Sequence, residues 1–225
     1  MLLVHIRGGA RLMEKLTVKE IRAIIERIRQ TMEEKKGELI ELDSAMGDGD
    51  LGLSMTAAFN TATKELSASD ETDMGKLLTR VGMAIAKGAP STLGTLIATG
   101  FMRGGKALGQ KTDVGLEELA QFFTSFVQGL MERGKARPGE KTIIDSLDPA
   151  ARALESAADR KMSLAEGVTL AYQAALDGLE ETKKMKAEHG RAAYYGEKSI
   201  GKQDPGATVG MLLVKAFCDF VNENG

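Results

Sequence analysis

Three carboxylates fall within eight residues in the stretch Asp43-Ser44-Ala45-Met46-Gly47-Asp48-Gly49-Asp50. Like charges a few ångströms apart repel, so such a cluster costs energy unless a cation compensates it. Oxygen-only donors suit a hard divalent ion, Mg2+, Mn2+ or Ca2+, rather than zinc. Gly47 and Gly49 let the backbone fold back so that nonadjacent side chains can converge. The plain alternative is a solvated acidic turn. An EF-hand is excluded, because a calcium loop starting at Asp43 needs Glu where Ser54 stands.

Four glycine-bearing loops flank helical segments, at 46–52, 87–94, 133–141 and 189–206. The first is acidic. The third and fourth carry Arg133, Lys135, Arg137, Lys141, Arg191, Lys198 and Lys202. Acidic metal ligands beside basic loops and open helix N-termini suit a metal–polyphosphate complex. Ordinary punctuation of helices by Gly and Pro explains any one of these loops, but less easily all four together. No GxxxxGK[ST] or GxGxxG phosphate loop occurs. His5 and His189 are the only histidines, too few for a histidine-rich metal site, and His189 reads as a surface residue. No Ser-His-Asp arrangement is visible. Metal-assisted positioning, rather than a protein nucleophile, is the chemistry these residues allow.

The elements that must position them are helical. Thr17-Val18-Lys19-Glu20 fits a capping box, followed by the stripe Ile21, Ile24, Ile25, Ile28 and Met32. The spacing predicts helices over about 18–35, 38–45, 52–66, 74–86, 92–108, 116–132, 142–158 and 163–186. A last helix opens at Pro205 with Asp204 as N-cap. No segment alternates like a strand between hairpin turns. Residues 190–204 read as a long loop. The fold class is all-α, an antiparallel bundle or barrel with its site in loops at one end.

Composition narrows the function. Aromatic residues make up 4% with no Trp, and the net charge is −2 without a basic stripe, which argues against nucleic-acid binding. The single cysteine, Cys218, allows no internal disulfide and sits in an apolar helical stretch. No apolar run approaches the roughly 20 residues of a membrane span. The first twelve residues read as an N-terminal extension, with Met13 as the natural start of one domain over 13–225. Their apolar run is too short for a signal peptide, so the expectation is a cytoplasmic protein.

Three segments carry a family resemblance. DSAMGDGDLGLSM from Asp43, RGKARPGEKTIID from Arg133 and GRAAYYGEKSIGKQDPGAT from Gly190 resemble, in order and spacing, the signatures of the nucleotide-binding L subunit of dihydroxyacetone kinase. The resemblance runs from about Met13 onward. It implies an eight-helix antiparallel barrel with the nucleotide, ADP or ATP, at one end. It implies two Mg2+ ions held by Asp43, Asp48 and Asp50. Leu51, Gly52, Leu53 and Ser54 match the stretch that meets the phosphates. Ser91 and Thr92 match the small residues of the phosphate loop, here about one residue shorter than usual. Gly134, Ile143, Arg191, Asp204, Pro205 and Gly206 match nucleotide-pocket positions. Leu51 stands where relatives often carry His or Cys, and Glu140 where they carry Asp. The resemblance further implies a separate K subunit that holds a short-chain ketose, and in some systems a phosphotransferase-type M subunit that rephosphorylates ADP in place. Two other roles fit the same motifs: a kinase subunit for a tetrulose or lipid acceptor, and a nucleotide-binding regulator that docks a transcription factor.

Overall fold

A computed structural model describes residues 13–225. The expected extension at 1–12, with His5, lies outside the described residues. The chain forms nine α-helices among the described residues: α1 Val18–Glu34, α2 Lys36–Ser44, α3 Leu51–Ser67, α4 Met74–Gly88, α5 Thr92–Leu108, α6 Leu116–Gly134, α7 Ile144–Asp159, α8 Leu164–Glu181 and α9 Pro205–Asn224. Two residue pairs, β1 Leu16–Thr17 and β2 Asp113–Val114, form a minimal antiparallel ladder. Period-two patterning has no purchase on elements this short, which is why they are invisible in the sequence.

Helix starts follow side-chain chemistry. Thr17 and Ser163 make full capping boxes with Glu20 and Glu166. Asp73, Ser91 and Asp204 each accept a backbone N–H of the first turn of α4, α5 and α9. The predicted stripe of α1 is buried throughout. The second helix starts at Lys36, two residues before its expected start at Glu38. The eighth ends at Glu181, where a 3-10 turn over Thr182–Lys184 takes over. Residues 191–199, expected as loop, coil into 3-10 turns with a break at Gly196.

Every long helix packs on its sequence neighbours, and α9 packs back on α1. The eight long helices therefore close a ring, α1–α3–α4–α5–α6–α7–α8–α9, with alternating direction. The short α2 lies outside this cycle, against α3. The ring is filled rather than hollow. Phe59, Phe101, Phe122, Phe123, Phe126 and Phe217 are all buried. Phe101 meets Phe126 edge-on with centroids 5.2 Å apart, and Phe123 meets Phe217 at 5.4 Å. Each such ring contributes on the order of 2–3 kcal/mol by leaving water. Alternation has a consequence for function. The junctions 45–50, 89–91, 135–143 and 182–204 all fall at one end of the ring. At the opposite end, Arg22 donates to the carbonyls of Leu66, Ser69 and Glu71 and closes the connector after α3.

Candidate metal and nucleotide site

The acidic loop is built by α2 and the start of α3. Asp43 sits in the last turn of α2, and its Oδ2 accepts the Asp50 N–H at 3.1 Å. This bond folds the chain back on itself. Gly49 makes the reversal at φ +73, a left-handed value that a side chain would strain. One oxygen each from Asp43, Asp48 and Asp50 then lies within 4.8 Å of the others. Burial raises the Asp50 carboxyl above its ordinary pKa, and repulsion from Asp48 and Asp43 adds to the rise. A cluster of this kind, all hard oxygens and short of positive charge, fits a divalent cation such as Mg2+.

Arg191 supplies part of the missing charge. Its Nη2 donates to Asp48 Oδ2 at 2.7 Å from the far segment between α8 and α9. The two meet because both junctions lie at the same end of the ring.

Behind the loop, α3 begins at Leu51. The first intrahelical donor is Ser54 N, bonded to Asp50 O at 2.9 Å. The amides of Gly52 and Leu53 precede it and point out of the helix end, where the dipole is positive. The Leu51 side chain is buried, so only its backbone belongs to the site. At Gly52 a Cβ would overlap the Lys36 carbonyl oxygen. Gly52 is thus required for α2 to lie against α3. Leu53 is exposed at 54%.

The remaining expected positions separate into surface and interior. Ser91 spends its hydroxyl as the α5 cap, accepting Gly94 N at 3.1 Å, and Thr92 is exposed on the first turn. Gly134 ends α6. Ile143 is buried at the start of α7, and its amide lies 3.3 Å from where a Cβ on Gly206 would stand. Pro205 opens α9. Asp204 is a correction to the picture of an open anion-binding turn. It is buried, its Oδ2 accepts Ala207 N at 2.7 Å, and burial pushes its carboxyl up to about 7.

Lys141 is a second correction. Expected among the cations facing a ligand, it is 2% exposed and turned inward. Sequence reasoning also missed Asp145, which accepts Gly139 N at 2.5 Å and Thr142 N at 2.6 Å and so shapes the 139–145 turn. Its place inside a long motif was the available signal. His189 lies near the surface but pairs with Glu140 at 2.6 Å.

A cleft of about 660 Å3 lies elsewhere, between α4 and α5 beside Met83 and Met102, and no site aspartate lines it. A recess of about 400 Å3 adjoins the metal loop, lined by Glu38, Glu41, Leu42, Met46, Lys202 and Gln203.

The DAK2 domain family matches residues 45–219. The chain belongs to this family. The DAK2 chain is 36% identical over 177 residues to the PEP-dependent dihydroxyacetone kinase, ADP-binding subunit DhaL, of Escherichia coli strain K12, covering 79% of this chain and 84% of that one. It is 33% identical to the corresponding subunit of kinase 1 of Listeria innocua, covering 84% and 89%. The dihydroxyacetone kinase of C. freundii, solved in complex with AMP-PNP and Mg2+, shares the fold with a TM-score of 0.69 at 23% identity. That alignment covers 97% of this chain and 37% of the kinase, so the DAK2 chain spans little more than a third of that protein. The all-α class expected from the helical pattern, and the eight-helix barrel that the resemblance implies, agree with the fold observed. No helix among the described residues is long and apolar enough to cross a membrane.

Proposed function

We propose that this chain is the nucleotide- and Mg2+-binding subunit of a dihydroxyacetone-type kinase, a phosphotransferase that works with a partner subunit. The convergence of Asp43, Asp48 and Asp50 with Arg191, at the end of the ring where α3 presents its open amides, carries this reading. The names of the relatives, ADP-binding subunits of PEP-dependent kinases, support it.

Asp43, Asp48 and Asp50 hold two Mg2+ ions. When bound, these supply charge compensation and alignment for the phosphates of ADP or ATP. Gly52 and Leu53 offer amides to phosphate oxygens at the α3 start, and Ser54 a hydroxyl. Thr92 stands where α5 begins and adds a second hydroxyl. Ile143, Gly134, Pro205 and Gly206 border the nucleoside side of the pocket. Arg191, paired with Asp48 in this structure, would offer its planar fork to the phosphates. The protein supplies position and electrostatics, with no covalent intermediate on its own side chains. A separate K subunit holds the short-chain ketose that receives the phosphoryl group. ADP stays bound and is rephosphorylated by an M-type subunit, a reading favoured by the ADP-binding, PEP-dependent relatives.

Calorimetric titration of ADP and ATP, with and without Mg2+, tests the site on wild type and Asp48→Ala. Equal affinity for each nucleotide in all four combinations of protein and Mg2+ removes the metal-bridged nucleotide. Coupled turnover on dihydroxyacetone, with and without a K subunit, tests the division of labour. Robust turnover by the lone chain refutes it.

A further inference from the structure

Lys141 is a buried ammonium with no carboxylate in ion-pair distance among the described residues. Its Nζ instead faces four backbone carbonyls: Lys202 at 2.6 Å, Thr182 at 2.7 Å, Ser199 at 2.8 Å and Met185 at 3.3 Å. All four belong to the segment that joins α8 to α9. An ammonium carries three protons, and the three shortest of these bonds satisfy them. The Lys141 backbone adopts φ 60, a left-handed conformation unusual for a residue with a side chain, and there the side chain enters the segment. Burial lowers its pKa from the ordinary lysine value, against a weaker upward pull from Asp204.

The segment is wound around this charge. Gly201 N bonds Lys183 O at 2.6 Å. Ser199 Oγ accepts Ala187 N at 2.9 Å and donates to Gly196 O at 2.6 Å. Asp204 N donates to Thr182 Oγ1 at 3.1 Å. The same segment carries Arg191, which is exposed and forms an ion pair with Asp48 at the metal loop. Few apolar side chains from 182–203 enter the core: Thr182, Ala187 and Ser199 are its buried members up to Gln203. A strap with so little apolar anchorage needs another source of shape. Four carbonyls converging on one cation provide it; without the cation the Lys202 and Met185 oxygens lose this partner, and the Thr182 and Ser199 oxygens keep only the longer bonds from Met185 N at 3.2 Å and Lys202 N at 3.4 Å.

We propose that Lys141 is a positioning residue, a tethered internal cation that holds the 182–202 strap in the shape that sets Arg191 over Asp48 and the metal loop. Lys141 itself touches neither metal nor nucleotide. The binding part of the test rests on the nucleotide reading above; the exchange part does not.

The experiment compares full-length wild type, Lys141→Met and Arg191→Ala. Amide hydrogen exchange over 183–203 is measured without nucleotide, and ADP affinity is measured with Mg2+. Both are repeated in ammonium chloride and in choline chloride at equal ionic strength. Lys141→Met should exchange faster across the strap and bind ADP about tenfold more weakly, the scale set by unpartnered buried carbonyls. Ammonium, small enough for the carbonyl cage, should restore both; choline should not. A folded Lys141→Met with wild-type exchange overturns the clamp. Losses that ammonium does not restore assign the effect to packing and overturn it equally. If Arg191→Ala also binds ADP normally, the failure belongs to the nucleotide reading, and exchange alone decides the clamp. If Lys141→Met does not fold in either salt, wild type labelled with 15N at lysine Nζ decides. A slowly exchanging, hydrogen-bonded ammonium signal supports the cage, and its absence overturns it.

Discussion

Arg191 donates to Asp48 at 2.7 Å and so joins the strap before α9 to the acidic loop before α3. Among the described residues Asp48 is the one aspartate of the cluster that holds a cationic partner, while Asp50 is left with a raised pKa. In this structure the arginine compensates part of the negative charge of the cluster.

Asp43→Asn should abolish Mg2+-dependent ADP binding with little loss of stability. The Asn carbonyl can still accept the Asp50 N–H, so the loop keeps its shape. Without metal the variant should melt at or slightly above the wild-type temperature, because one repelling charge is gone. Added Mg2+ should raise the melting temperature of wild type only. A comparable Mg2+ shift in the variant would remove Asp43 from the ligand set.

Arg191→Ala should weaken nucleotide binding by roughly 1–3 kcal/mol, the range of a lost charged hydrogen bond. Stability should change little, since the side chain is 66% exposed and surface ion pairs contribute about 0–1 kcal/mol. Calorimetry and thermal melts read the two effects separately. Unchanged affinity places Arg191 outside the pocket.

Stability should depend on pH through Asp204. Its folded pKa, pushed up to about 7, lies above the unfolded value. Between about pH 4 and pH 7 the folded state therefore holds a proton that the unfolded chain has released, and stability falls as pH rises through that window. The full effect is on the order of 4 kcal/mol. Asp204→Asn keeps a side-chain oxygen for Ala207 N but cannot titrate. Urea midpoints at either side of the window should converge in the variant relative to wild type. Parallel pH profiles would show that Asp204 is ionised throughout.

Phe101→Ala should cost about 3–5 kcal/mol, as expected for an aromatic ring removed from a packed core. Phe101 is 2% exposed and touches Phe59, Phe122 and Phe126, so α3, α5 and α6 all lose a contact. Chemical denaturation measures it. A loss under about 1 kcal/mol would mean that the ring closes around the gap.

Gly52→Ala should destabilise by about 1–3 kcal/mol, because the new methyl overlaps the Lys36 carbonyl and forces α2 off α3. Since Asp43 rides on α2, Mg2+-dependent ADP binding should fall with it. A variant as stable as wild type would show that α2 shifts at no cost.

What the sequence determined by itself was local. The Ile stripe of α1, the Thr17 cap, Asp204-Pro205 at the head of α9 and the Gly47-Asp48-Gly49-Asp50 run are each written within a few residues, and short-range sterics and hydrogen bonds decide them. The direction of successive helices was legible too, because short junctions force antiparallel neighbours, and alternation sends every second junction to one end. Closure of the ring was not legible, since the contact between α9 and α1 depends on the sum of all intervening packing angles. Nor was the partition among the basic residues of the site loops. Arg191 and Lys141 look alike as isolated cations in glycine-bearing loops. Only the path of the strap decided that one points to Asp48 while the other is swallowed by four carbonyls. Asp204 shows the same division. Its capping role follows from its place before Pro205, but its burial and the raised pKa that comes with it follow from what packs over it, and burial is a property of the whole chain.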